Sequence, residues 1–193
     1  MFELIERKEN YRGPIFTAYT DTIRMPDGSV IRRDAIEKHQ NAAAVLAIKD
    51  NGNVVFVRQY RRSANAEVLE IPAGIADKGE TTLECAVREL EEEAGLKAGK
   101  IDFMFKFYSC IGFCDEVVNI YLASKLTEGV QNFDDDESIT LEEYPLEEAI
   151  EMIFDGRIVD SKTVSALLGY EIYKKRTGET KIEIFAKSEG GLL

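Results

Sequence analysis

The sequence predicts an α/β or α+β sandwich. Three observations lead there: β-branched and aromatic runs broken by turn signals fill residues 12–71, one strongly amphipathic helix follows at 82–94, and two more helical patterns close the chain after further strands. With 193 residues, 45% hydrophobic, the chain suits one domain carrying a modest extension.

Ile15 to Tyr19 and Thr22 to Met25 read as short strands, and Pro26-Asp27-Gly28 as a turn before Val30-Ile31. Ala43 to Ile48 and Val54 to Val57 form the next pair, with Asn51-Gly52 marking a hairpin between them. Glu67 to Ile71 is another strand, ended by Pro72-Ala73-Gly74. From Leu83 the period changes. Leu83, Val87, Leu90 and Ala94, with Ala86 beside them, make one apolar helical stripe, with Thr81 and Glu84 as a capping box and Gly95 as the stop. Strands return at 101–109 and 117–124 around the loop 110–116. After a polar acidic stretch, Ile139 to Glu143 reads as one more strand. Helices follow at 146–154 and 160–176.

A net charge of −12 would repel DNA, RNA and anionic membranes, so a phosphate-bearing partner should be small or metal-shielded. Nucleic acid and membrane are therefore not expected as partners. No apolar run approaches the ~20 residues a bilayer span needs, and the first residues do not resemble a signal peptide. Cys85, Cys110 and Cys114 are too few for a disulfide framework and point to a reduced, cytoplasmic setting. With His39 the single histidine, zinc would lack ligands. Cys110 and Cys114 read as small packing residues, and His39 as a turn residue.

The helix at 82–94 has a second face that stability alone does not explain. Glu89, Glu92 and Glu93 stand at i, i+3 and i+4, where like charges cost a few tenths of a kcal/mol each, and they lie in the last turns, where acids sit poorly. A divalent cation would resolve the conflict, and all-oxygen donors favour Mg²⁺ or Mn²⁺. Arg88 can pair with Glu84 or Glu92 along the helix. From Gly74 the chain reads Gly74-x5-Glu80-x7-Arg88-Glu89-Leu90-x-Glu92-Glu93-x-Gly95-Leu96, which resembles the Nudix hydrolase signature at every fixed position. The resemblance implies an α/β/α sandwich with a mixed sheet over 41–193, preceded by a β-rich segment at 1–40 that dimerises and contacts substrate. It implies metal ligands Glu89, Glu92 and Glu93, joined by the Ala73 carbonyl, with Glu80 supporting the loop.

Outside that box, Arg58-Gln59-Tyr60-Arg61, Leu69-Glu70-Ile71-Pro72-Ala73-Gly74, Tyr11-Arg12-Gly13, Gly112-Phe113-Cys114-Asp115-Glu116 and Asp160-Ser161-Lys162-Thr163 are similar to the ADP-ribose and nucleoside-diphosphate-sugar pyrophosphatases of the superfamily. That likeness implies Mg²⁺-dependent hydrolysis of a pyrophosphate bond by a homodimer. Arg61 would hold the diphosphate, Arg33 and Glu70 would contact nucleotide or ribose, Arg88 would join the substrate-binding set, and Tyr11 or Phe16 could stack on the base. Glu137 would be the general base, with Asp135 as a neighbour able to substitute and Glu116 as a second candidate. Cys110-Ile111-Gly112 stands where the subfamily usually has Ser-Pro-Gly, whose proline tracks with ADP-ribose use, so the resemblance implies the chemistry more firmly than the substrate. Dinucleotides or damaged nucleotides, and a non-catalytic ADP-ribose sensor, are the alternatives.

Overall fold

The structure, a computed structural model, describes residues 1–132 and 138–177. Two sheets organise it. The first is antiparallel, β1 (Glu3–Arg12), β2 (Phe16–Arg24) and β3 (Val30–Lys38) in that order. The second takes β4 (Ala42–Ile48), β5 (Asn53–Arg61), β8 (Leu96–Tyr108), β9 (Val117–Glu128) and β10 (Ile139–Pro145) in the order β10-β5-β4-β9-β8. The short strands β6 (Ala66–Glu70) and β7 (Ala73–Ile75) pair onto β5 and β4. The sheet is mixed, because β4 and β9 run parallel while the other pairs are antiparallel.

β4 explains the layering. Its residues 43–47 are wholly buried, as a strand covered on both faces must be. Ala43, Val45 and Ala47 pack with Cys85, Ala86 and Leu90 of helix α1 (Thr82–Ala94). Ala44 and Leu46 belong to the opposite core, with Met152 of α2 (Leu146–Phe154) and Ala166, Leu167, Tyr170 and Tyr173 of α3 (Ser161–Thr177). This is the expected α/β/α sandwich. Among the described residues, no helix is long and apolar enough to cross a membrane.

Helix α1 forms where the pattern put it. Thr81 and Glu84 exchange both bonds of the capping box, and Gly95 at φ 63° closes the C-terminus through the left-handed conformation glycine adopts without strain. Its buried face keeps Ala86, Leu90 and Ala94 of the predicted stripe and departs from it at the other two positions. Leu83 and Val87 are 44% and 46% exposed, while Cys85, Ala86, Leu90, Glu93 and Ala94 face inward. Glu93 turns inward because its carboxylate accepts from Ala73 N–H and Gln59 Nε2.

Three further differences have local causes. β1 carries no apolar periodicity and every residue is exposed; it is held by its ladder to β2 and by ion pairs such as Arg7–Asp21 and Arg24–Glu3. β2 is one strand across Asp21, whose buried carboxylate takes two Arg7 bonds at 2.8 Å, so an acid that looks like a break is an internal pairing residue. Cys110 is exposed and Cys114 half-buried, so they are not the packing pair expected; both are free, as is buried Cys85. His39 does sit at a bend, its ring between the Thr17 hydroxyl (2.9 Å) and the Pro14 carbonyl (3.0 Å).

The N-terminal sheet meets the sandwich at the 110–116 loop. The Ile36 N–H donates to Phe113 O, Asp115 N–H to Ile36 O, and Lys38 N–H to Asp115 Oδ1.

Candidate active site

The turn between β6 and α1 lies at one end of the sheet. β7 fixes Ala73 and Gly74 opposite Ala44 and Ala43, and Val45 N–H donates to Pro72 O at 2.8 Å, so this backbone cannot drift. Glu93, only 2% exposed, reaches back from the last turn of α1 and accepts the Ala73 N–H at 2.8 Å. Its other oxygen faces Gln59 Nε2 at 3.3 Å. Gln59 and Arg61 are alternate residues of β5, so both point toward the α1 side of the sheet.

Glu89 lies against Gly74 so closely that a Cβ there would stand 1.9 Å from Glu89 Oε1. Only glycine leaves that space for the carboxylate. Arg88 Nη1 donates to Glu89 Oε1 (2.7 Å) and Glu92 Oε2 (2.9 Å), while its Nε and Nη2 reach Glu80 at 3.0 Å. The expected alternative of Arg88 with Glu84 is not formed, because Glu84 is spent on the capping box. Arg88 also spends a donor on Ile75 O, so its position is one of support for three carboxylates. Those contacts, that to Glu80 foremost, keep the guanidinium firmly protonated and hold Glu80 below the usual carboxylate range. Glu80 also accepts from Asp77 N–H at 2.7 Å, the loop-supporting role expected of it. The buried Cys85 thiol is pushed up to about 12, by burial first and then by Glu89, so it stays protonated and is no nucleophile.

The structure thus brings Glu89 and Glu92 together on one cation and turns Glu93 onto Ala73. Among the described residues, no three His, Cys, Asp or Glu side chains converge as a ready-made metal cluster. The donor set still fits a hard divalent cation. It is all oxygen, and three carboxylates share the single charge of Arg88, which leaves an excess of negative charge at the mouth of the cleft.

That cleft, about 680 Å³, runs between Gln59 and Arg61 on one side and Gly74, Arg88, Glu89 and Glu92 on the other, with Ile15 of the N-terminal segment at its rim. A smaller pocket of about 280 Å³ shares Arg61, Ala73, Gly74 and Ile75 with it and adds Ser109, Glu116 and Lys162. Arg61 donates Nε and Nη2 to the two oxygens of Glu70, each at 2.7 Å, a bidentate fork. Glu70 is 2% exposed and also bonds Lys162, so both its oxygens are occupied by protein groups. Burial alone would raise its pKa; Arg61 and Lys162 outweigh that and hold it ionised below the ordinary value. Glu116 behaves alike: burial opposes its charge, but Ser109 and Lys38, the latter at 3.1 Å, keep its pKa low.

Arg33 lies elsewhere, in a groove between β3 and the 110–116 loop with Arg7, Tyr108 and Phe113. Tyr11 is exposed and its ring meets Phe16 at 5.6 Å. Glu137 and Asp135 lie outside the described residues. Sequence reasoning missed Gln59, Lys38 and Lys162 as site residues; the two lysines act across long separations, while Gln59 could have been found from its alternation with Arg61.

Residues 38–167 match the NUDIX domain model. The chain belongs to the Nudix family. It is 35% identical over 165 residues to the ADP-ribose pyrophosphatase of Bacillus subtilis, covering 84% of this chain and 89% of the relative. It is 36% identical, over the same shares, to the methanol dehydrogenase activator of Bacillus methanolicus. A solved structure described as an ADP compounds hydrolase superposes with a TM-score of 0.84 at 22% identity, covering 92% of this Nudix chain and 96% of that one, which shows a shared fold. Nudix hydrolases generally use divalent metal ions.

Proposed function

We propose that this Nudix pyrophosphohydrolase cleaves the pyrophosphate bond of ADP-ribose or a related nucleoside diphosphate sugar, using Mg²⁺, with Mn²⁺ as a substitute. What carries the reading is one juxtaposition: an arginine fork held by a buried carboxylate opens onto the same cleft as the Glu89–Glu92 pair. Glu89, Glu92, Glu93 and the Ala73 carbonyl would hold the metal. When bound, it supplies neutralising charge and polarises the attacking water.

The chain's own residues do the rest. Arg61 grips the diphosphate with the donors Glu70 does not take, and Gln59 holds Glu93 in place. Glu137 accepts the proton of the attacking water; the water oxygen bonds to phosphorus, the bridging P–O bond breaks, and its electron pair leaves on the second phosphate. For ADP-ribose the products are AMP and ribose 5-phosphate. Glu116 is the weaker candidate base, because Ser109 and Lys38 stabilise its ionised form. The segment 1–40 serves as the dimerisation element, consistent with Leu4, Ile5 and Val30 exposed on its sheet, and Arg33 contacts nucleotide across that interface. Free cysteines suit a cytoplasmic setting.

The test is a panel of ADP-ribose, other nucleoside diphosphate sugars, dinucleotides and damaged nucleotides, incubated with Mg²⁺ and scored by phosphorylated products. AMP with ribose 5-phosphate is the expected pair. Binding of ADP-ribose without turnover of any compound would refute the hydrolase and leave the sensor. Sedimentation of the full chain, against a variant lacking residues 1–40, tests the dimer.

A further inference from the structure

The string Asp160-Ser161-Lys162-Thr163 divides into two jobs. Asp160 and Thr163 are structural. Asp160 Oδ2 accepts from the Thr163 N–H (3.0 Å) and hydroxyl (2.6 Å), fixing the first turn of α3. Thr163 Oγ1 in turn accepts the Ile71 N–H at 2.9 Å and is wholly buried, so the start of α3 is pinned to the strand end that carries Glu70. Lys162 is then delivered to one place. Its ammonium bonds Glu70 Oε2, the oxygen that also receives Arg61 Nη2, and touches Asp160 Oδ2 at 3.1 Å.

Glu70 is thereby gripped from two sides, by Arg61 of β5 in a bidentate pair and by Lys162 of α3. A buried carboxylate with one partner can still rotate about its last bond and carry the arginine with it. One with a second, independently anchored cation cannot. Of the five N–H donors of an arginine, Glu70 takes two, and the direction of the rest follows from the plane of the carboxylate. The Arg61 side chain is 40% exposed, so little else restrains it.

We propose that Lys162 is a positioning residue for substrate: acting through Glu70, it sets the plane of the Arg61 guanidinium and so the donors offered to a diphosphate. This rests on the proposed reading of Arg61 as the diphosphate-binding residue. A residue that touched substrate itself would act independently of Arg61, whereas one that acts through Arg61 loses its effect when Arg61 is gone.

The experiment is a double-mutant cycle in the full-length enzyme with ADP-ribose and saturating Mg²⁺. Lys162→Met should raise KM about tenfold with kcat within about twofold, the pattern of lost uniform binding. In an Arg61→Ala background the same change should alter KM by less than about twofold. Lys162→Arg, which keeps a cation for Glu70, should recover most of the loss. Thermal melting checks folding, and where Lys162→Met does not fold, Lys162→Gln enters the same cycle. Additive effects on KM, an unchanged KM in Lys162→Met, or an arginine no better than methionine would each overturn the proposal. An inactive wild-type enzyme would instead overturn the function on which it rests.

Discussion

Placing a methyl group on Gly74 tests the proposed metal site from its far side. Residue 74 is held in the β7–β4 ladder opposite Ala43, so the backbone has no freedom to retreat. An added Cβ would lie 1.9 Å from Glu89 Oε1 and 2.2 Å from its Cδ. The carboxylate is the movable partner, and ordinary contact begins near 3.4 Å, so it must shift by roughly 1.5 Å. That shift pulls Glu89 off Arg88 Nη1, now 2.7 Å away, and off whatever position it would take on a metal. Stability should change little, within about 1 kcal/mol, since a glycine replaced at a compatible backbone gains what the displaced side chain costs. Activity should suffer far more. A misplacement of about 1 Å near the chemistry costs on the order of 10²-fold, so kcat/KM of Gly74→Ala should fall by about that factor and its Mg²⁺ requirement should rise. Initial rates across a Mg²⁺ titration, with a thermal melt of the same sample, read both quantities. A folded Gly74→Ala with wild-type kcat/KM and Mg²⁺ dependence would refute the assignment of Glu89.

Three other outcomes follow from the same geometry. Glu93→Gln should abolish activity while destabilising the metal-free protein by only about 1 kcal/mol, because an amide can still accept from Ala73 while Gln59 turns its own amide over; a loss of several kcal/mol in chemical denaturation would make Glu93 chiefly structural. Glu137→Gln should lower kcat about 10²–10⁴-fold with Mg²⁺ and substrate affinity kept, and Glu116→Gln should cost less; the reverse ranking in steady-state kinetics would move the base to Glu116. Glu70 has a folded pKa below its ordinary value, so its contribution to stability is complete above about pH 4.3 and is lost as pH falls through the folded value. Glu70→Gln should therefore melt lower at pH 7 and lose less on acidification, which parallel melts across pH 3–7 would check.

The parts of the fold legible in the sequence are those whose signal is local. Thr81, Glu84 and Gly95 bracket α1 through contacts within a turn, and the apolar run at 43–47 reports burial on both faces by itself. β1 was not legible, because its residues bury nothing and its stability comes from pairing with β2. The predicted stripe on α1 failed at Leu83 and Val87 for a related reason: hydrophobic spacing carries no information that a glutamate, Glu93, would be drawn inward by Ala73 N–H. In the site, crowded like charges at 89, 92 and 93 announced themselves. The reason lay partly next door. Arg88, one residue away, already relieves the repulsion between Glu89 and Glu92. The Glu70–Lys162 contact spans 92 positions, and no local spacing encodes it.

On the proposed function, the balance of charge in the cleft bears on how a chain of net charge −12 would accept a diphosphate. Its cations do not stand as a bare attractive patch. Arg61 is matched by Glu70, and Lys162, in the adjoining pocket, by Glu70 and Asp160. Arg88 faces three carboxylates. A free diphosphate would meet donors already compensated, beside a local negative excess, and Coulomb repulsion of that kind is strong where water is scarce. The positive charge that closes the balance has to arrive with the ligand or ahead of it. On that reading paired cations serve a purpose different from attraction: each partner fixes a geometry, as Glu70 fixes Arg61, so a diphosphate drawn in by a divalent charge would meet donors already aligned.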